Sequence, residues 1–157
     1  MRKAIFLDRD GVLVVDKGYQ FAWCDVKISV KFLTFLQEFS KAFDHVFIIT
    51  NQSGVGRGYF TQEDCEQFNK ALVAECLSYD VKITNVYACY HTPSDNCQCR
   101  KPKPGMILAA ARQYGIHLAG SVLFGDKVSD IIAGKNAGIG ENYLVNLNDK
   151  NFFSLQY

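Results

Sequence analysis

Apolar and polar positions along this chain of 157 residues fall into two alternating textures. Short apolar-rich runs, as strands buried on both faces of a sheet require, lie at 3–7, 46–50, 84–90, 121–124 and 142–145. Longer windows between them repeat at helical spacing. From Val30 to Phe43 the residues Phe32, Phe35, Leu36, Phe39 and Phe43 share one face. The next helix opens at Thr61, with Asp64 three positions on as a capping-box partner, and should bury Cys65, Phe68, Leu72 and Cys76. Pro104 as a first-turn residue and Gly115 as a stop bracket a helix from Gly105 to Tyr114. A short one should run from Val128 to Ala137. This alternation predicts an α/β fold, a parallel five-stranded sheet flanked by crossover helices, in one domain over 1–157.

Composition narrows the class without naming a function. With 48% apolar and 21% charged residues the chain is neither disordered nor membrane-embedded, and its longest apolar run, Met106 to Ala111, is far too short to span a bilayer. Seventeen basic against 16 acidic side chains leave a net charge of +1 and no global field for nucleic acid or anionic lipid, so neither is an expected partner. No exposed apolar face is marked, and a monomer is expected. Asp8 interrupts the opening apolar stretch before it reaches the length of an export signal, so a cytoplasmic location is expected. Disulfides are rare in that setting, and the six cysteines call for another explanation.

Two long segments, Gly11 to Lys27 and Ala88 to Pro104, fit no regular element, and loops of that length are usually functional. In an open α/β sheet ligands bind beyond the carboxyl ends of the strands. There the chain delivers Asp8-Arg9-Asp10-Gly11, then Thr50-Asn51-Gln52-Ser53-Gly54, then Arg100-Lys101-Pro102-Lys103, then Gly125-Asp126-Lys127 with Asp130 four residues beyond Asp126. Any one aspartate could be an ordinary turn or cap residue. Carboxylates, a hydroxyl and several cations converging on one rim make chemical sense together. Hydrolysis of a phosphate monoester is extremely slow without catalysis, and one route splits it through an aspartyl-phosphate. Like charges then meet, so a hard cation held by carboxylates is needed, with a lysine and a hydroxyl on the phosphoryl oxygens. Asp8, nearest the strand end, is the candidate nucleophile. Asp10, on the same side of an extended segment, is the candidate general acid and base. Asp126, with Asp130 as a further candidate, would hold the metal, and Thr50 and Lys101 the phosphoryl group.

These segments, Phe-Leu-Asp-Arg-Asp-Gly, the strand ending in Thr50, Lys101 and Gly-Asp-Lys-Val-Ser-Asp, resemble the four ordered motifs of haloacid-dehalogenase-superfamily phosphatases over nearly the whole chain. The resemblance implies a Rossmann-like core, Mg²⁺ held by Asp8, Asp10 (through its backbone carbonyl) and Asp126, and an aspartyl-phosphate intermediate. No segment is long enough for an inserted cap domain, which leaves a minimal loop cap.

Cys89, His91, Cys97 and Cys99 put three thiols and an imidazole in one loop, a closed ligand set for structural Zn²⁺; unlinked thiols or one disulfide are the alternatives. A metal there would order a loop with few apolar anchors and place Arg100 and Lys101 directly after the last ligand. Cys24, Cys65 and Cys76 are expected to be packing residues. Cys-x-His…Cys-x-Cys-Arg-Lys-Pro is similar to the branch holding heptose 1,7-bisphosphate and histidinol-phosphate phosphatases. Thr50 to Thr61, Lys101 to Met106 and Asp16-Lys-Gly-Tyr19 resemble the heptose enzymes, whereas the short loop and Tyr90 depart from them. The resemblance implies that Asp16, Lys17, Gly18, Tyr19, Asn51, Gln52, Ser53 and Arg100 contact a phosphorylated sugar. Arg100, Lys103 and Arg57 are the spare cations for its second phosphate, and Lys127 is a further substrate-binding candidate. Such an enzyme would serve heptose supply for lipopolysaccharide or another surface glycan. The alternative substrate, histidinol phosphate, carries an amine and an imidazole that call for acidic partners, and Gly54-Val-Gly-Arg-Gly58 offers none. A signalling receiver domain gathers similar residues, but its phosphoaccepting aspartate follows a middle strand rather than the first.

Overall fold

The computed structural model describes residues 1–156. Strand β1 (Ala4–Leu7) leads through helix α1 (Val30–Phe39) to β2 (His45–Asn51). A one-turn helix α2 (Ser53–Gly56) and the long α3 (Gln62–Ser78) return the chain to β3 (Asn85–Cys89). Helix α4 (Gly105–Tyr114), β4 (Val122–Gly125), α5 (Val128–Ala137), β5 (Glu141–Val145) and β6 (Phe153–Gln156) complete the order. The sheet runs β3-β2-β1-β4-β5-β6, parallel except for the antiparallel last pair. It therefore has six strands, not the five expected.

Alternation along each strand decides what packs where. Ile5 and Leu7 of β1 join Val46 and Ile48 of β2 on one face, with Phe32, Leu33 and Leu36 of α1 and Phe68 and Leu72 of α3. Ala4 and Phe6 join Phe47 and Ile49 on the other, against Met106, Ile107 and Ala110 of α4 and Ile131 of α5. With both faces covered, β1 is buried at every position, as a parallel core strand must be. The capping box at Thr61 forms as expected: Asp64 N–H donates to Thr61 Oγ1 at 3.0 Å, and Thr61 N–H to Asp64 Oδ2 at 2.8 Å.

Two expectations need correction. The helix expected up to Phe43 stops at Phe39; Ser40–Ala42 tighten into a 3-10 turn and Phe43 is extended, which lets Asp44 N–H pair with Lys3 O and start β2. Cys24 is exposed rather than packed, because the turn Trp23–Asp25 turns Trp23 inward instead, edge-on to Phe68.

From β3 the chain crosses past β2 and β1 to β4, so the strand order reverses between β1 and β4. Loops after those two strands diverge to opposite faces and open a crevice at their carboxyl ends. Asp8 and Asp126 leave the sheet there. The order also differs from the 2-1-3-4-5 arrangement of flavodoxin-like sheets. No helix among the described residues is long and apolar enough to cross a membrane.

The closing aromatics, whose partner sequence alone left open, face the core up to the last described residue; Tyr157 lies outside the described residues. Phe153 pairs with Val145 in the ladder, and its ring lies 4.8 Å from Phe35, 5.5 Å from Phe124 and 5.4 Å from Tyr143. Phe153→Ala should cost about 2 kcal/mol, less than a fully buried phenylalanine because this one is half-buried. Urea denaturation measures it; a loss under about 0.5 kcal/mol would mean that β6 is not docked.

Candidate active site

Asp8 sits one residue past β1, where its N–H still donates to Phe124 O of β4 at 2.9 Å. Its Oδ1 accepts from Arg9 N–H at 2.9 Å and from Lys101 Nζ at 2.9 Å. The same ammonium reaches Ile49 O at 2.9 Å and Asp130 Oδ1 at 2.6 Å. All three charged residues are buried. Burial works against the Lys101 charge, but Asp8 and Asp130 outweigh it and hold its pKa above the ordinary lysine value. Two carboxylates share one cation, and Asp126 stands beside them. Burial first, then the charge of Asp130, pushes the Asp8 carboxyl well above the usual carboxylate range, and burial raises Asp126 as well. The nearby charge of Asp126 adds to the upward push on Asp8.

Local backbone makes this crowding possible. Gly11 has φ +85°, and a Cβ there would lie 2.1 Å from Asp126 Oδ2, so only glycine lets the two loops pass. Gly125 is constrained likewise by Asp130, whose Cβ would lie 2.2 Å away. Asp130 is anchored in the first turn of α5, where Lys127 N–H donates to its Oδ2 at 3.1 Å. Asn51 clamps the Lys101 backbone, accepting its N–H at 3.1 Å and donating to its carbonyl at 3.2 Å.

Asp10 is held separately. Its Oδ1 accepts from Gln20 Nε2 at 2.7 Å and its Oδ2 from Gln52 Nε2 at 2.9 Å, and the Arg9 guanidinium meets both oxygens. Gln52 also donates to Thr50 Oγ1 at 2.8 Å, tying the hydroxyl after β2 to this carboxylate. Neither Arg9 nor Gln20 was singled out from sequence. An arginine between two aspartates reads as a spacer, and only the fold turns its side chain inward.

Above these groups opens a cavity of about 440 Å³. Asp10 and Lys101 reach it from below. Asp16, Gly18 and Tyr19 line it from the first loop, and Asn51, Gln52, Ser53 and Arg57 from the segment after β2. Arg100, Lys127 and Ser129 complete the lining, with Lys127 Nζ 4.0 Å from Asp16 Oδ2; Ser129 is a further residue to which the sequence assigns no role. Arg57 donates to Ser53 Oγ at 3.3 Å and lies over the Tyr19 ring, itself edge-on to Tyr59. Two expected residues stand elsewhere: Lys17 bonds the Asp25 carbonyl, and Lys103 Nζ donates to Cys97 O at 2.8 Å, outside the cavity.

Two side-chain sets could hold metal. Asp8, Asp126 and Asp130 bring carboxylate oxygens within 4.8 Å of one another, and Asp126 Oδ1 is buried with no hydrogen-bond partner. An unpaired carboxylate oxygen within a cluster of three carboxylates fits a hard divalent cation. Cys89, His91, Cys97 and Cys99 likewise gather within 4.8 Å. Cys89 and Cys99 sulfurs are 3.0 Å apart, too far for a disulfide, Cys89 and Cys97 are 3.7 Å apart, and His91 Nδ1 is 3.2 Å from Cys99. Three sulfurs and one ring nitrogen form a closed set suited to a soft-to-borderline metal.

Similarity to known proteins agrees with this geometry. A family model described as HAD-hydrolase-like matches residues 98–145. The D-glycero-beta-D-manno-heptose-1,7-bisphosphate 7-phosphatase of Helicobacter pylori strain J99 is 40% identical over 147 residues, 93% of this chain and 84% of the relative. The corresponding alpha enzyme of Campylobacter jejuni is 39% identical over 144 residues, covering 92% and 83%. The crystal structure of D,D-heptose 1,7-bisphosphate phosphatase from B. bronchiseptica, complexed with magnesium and phosphate, superposes with a TM-score of 0.83 at 32% identity, covering 91% of this chain and 80% of that one.

The raised Asp8 carboxyl carries a stability consequence. Its contribution is full below the pKa of the unfolded chain's carboxyl and is lost as pH rises through the higher folded value. In the presence of a chelator, Asp8→Asn should therefore melt above wild type near pH 8, gaining roughly 2–4 °C for each kcal/mol of repulsion relieved. The gain should shrink towards about pH 4. An offset independent of pH, or a lower melting point near pH 8, would contradict this electrostatic picture.

Proposed function

The chain belongs to the haloacid-dehalogenase-like heptose-bisphosphate phosphatase family, and we propose that it removes the C7 phosphate from D-glycero-D-manno-heptose 1,7-bisphosphate. The observation that carries this is Lys101 Nζ at 2.9 Å from Asp8, with Asp10 alongside, under a cavity walled by Arg57, Arg100 and Lys127. A buried carboxylate fixed by an ammonium supplies a nucleophile. A second carboxyl within the same turn supplies the proton. Surplus cations beyond Lys101 suit a substrate with a phosphate at each end.

The Asp8 carboxylate attacks phosphorus in line, forming a bond to it as the bond from phosphorus to the C7 oxygen breaks. Asp10 gives its proton to that departing oxygen. It then takes a proton from water, whose oxygen attacks the phosphorus and returns Asp8 to the carboxylate with release of inorganic phosphate. Lys101 and Thr50 hold the transferring oxygens. Mg²⁺, when bound by Asp8, Asp126 and the Asp10 backbone carbonyl, supplies charge neutralisation between carboxylates and phosphoryl oxygens. The product keeps its anomeric phosphate, which suits it to nucleotide activation for lipopolysaccharide or another surface glycan.

Arg100, Arg57 and Lys127 grip the second phosphate, and Asp16, Gly18 and Tyr19 receive the sugar. Lys103 and Lys17, which stand outside the cavity, hold their own loops. The Cys/His set holds structural Zn²⁺, which fixes the segment that delivers Arg100 and Lys101.

Purified protein with Mg²⁺ should release phosphate from the heptose bisphosphate with kcat/KM at least ~100-fold above that for histidinol phosphate. The reverse preference would overturn the substrate assignment. Asp8→Asn should lower kcat by ~10⁴-fold or more without loss of fold; retained turnover would remove Asp8 from its role. Metal analysis should return about one zinc per chain, and Cys97→Ser should lose it together with thermal stability. A metal-free loop in a stable, active protein would refute the zinc assignment.

A further inference from the structure

Arg9 lies between the two aspartates in sequence but does not line the cavity, and it is 1% exposed. A guanidinium withdrawn that far from water is costly unless its N–H groups are matched. They are: Nη2 donates to Asp10 Oδ2 at 3.1 Å and to Gln20 O at 3.3 Å, and Nε to Asp10 Oδ1 at 3.4 Å. From behind, Nη1 donates to Asn69 Oδ1 of α3 at 3.0 Å, and the guanidinium stacks 4.2 Å above the Phe68 ring. Asn69 and Phe68 are neighbours on the buried face of α3, so the long helix fixes the fork, and the fork meets both oxygens of Asp10.

We propose that Arg9, braced by Asn69 and Phe68, is a positioning residue that aims the Asp10 carboxyl at the leaving oxygen. The proposal rests on Asp10 acting as general acid, as set out above. Arg9 cannot touch substrate from its place, so its effect on the reaction passes through Asp10. A planar fork restrains rotation of a carboxylate, which a single ammonium does not. Gln20 and Gln52 each hold one oxygen; among the described residues only Arg9 bridges both.

Leaving-group dependence separates positioning from mere structural support. A sugar alkoxide needs a proton as it departs, whereas p-nitrophenolate departs readily without one. Because kcat/KM reports steps only through the first irreversible one, transfer to Asp8, the later role of Asp10 towards water drops out of the comparison. Arg9→Lys and Asn69→Leu should each lower kcat/KM for the heptose bisphosphate by about 10–100-fold and for p-nitrophenyl phosphate by less than about 3-fold. Crystals of the Asn69→Leu protein should show the Asp10 carboxylate displaced or in several orientations, with the Lys101 to Asp8 contact intact. Equal losses for both esters, no loss for either, or an unmoved Asp10 would overturn the proposal. Asp10→Asn is the control. If it depresses both esters alike, Asp10 is not the acid, and the Arg9 proposal falls with that assignment. If Asp10→Asn is selective while the Arg9 and Asn69 variants are not, the Arg9 proposal alone is wrong.

Discussion

One buried ammonium, Lys101, joins parts of the chain that meet nowhere else in sequence: Asp8 at the end of β1, Ile49 O in β2 and Asp130 in the first turn of α5. Its backbone is clamped in turn by Asn51 after β2. A buried ion pair of this kind adds little net stability compared with an apolar contact, because both partners are withdrawn from water. What it fixes is geometry. Lose the lysine, and two carboxylates remain buried with no opposite charge. The excess of carboxylates over cations is also what suits the cluster to a divalent ion. Repulsion among Asp8, Asp126 and Asp130 holds their oxygens in a state that a cation relieves.

The fold puts this cluster where strand order reverses, and packing supplies the rest of the precision. Apolar alternation commits β1 to both faces, and ladder pairing of β1 with β2 and β4 brings Asp8, Thr50 and Asp126 to one edge. The Cys/His loop works from the side. It begins at the end of β3 and ends one residue before Arg100, so whatever orders its four side chains also sets the approach of Lys101.

Much of this was legible in the sequence because it rests on local rules. Short continuous apolar runs, the Thr61 capping box and the Gly115 stop are all written within a few residues of where they act. The clustering of Asp8, Lys101 and Asp126 was legible because strand ends in a parallel sheet share one rim. Other features depend on contacts far along the chain. Whether Phe153 and its neighbours pack on the core or on a partner is open in the sequence; in the fold Phe35, Phe124 and Tyr143 gather beneath them. Lys17 and Lys103 read as free cations, yet nearby carbonyls take both ammonium groups. Arg9 has no sequence signal at all, since its partners Asn69 and Phe68 come from a helix some 60 positions later. Charge alone does not say which way a side chain turns; the apolar face of α3 does.

Everything proposed for this enzyme turns on transient esterification of Asp8. Rapid mixing with the heptose bisphosphate, an acid quench within one turnover and mass analysis of the peptide spanning 4–9 test it most directly. One phosphoryl group should be found on Asp8, removable by hydroxylamine and missing from Asp8→Asn protein. Phosphate released in the first turnover with no label on that peptide, or with the label on another residue, would contradict the account.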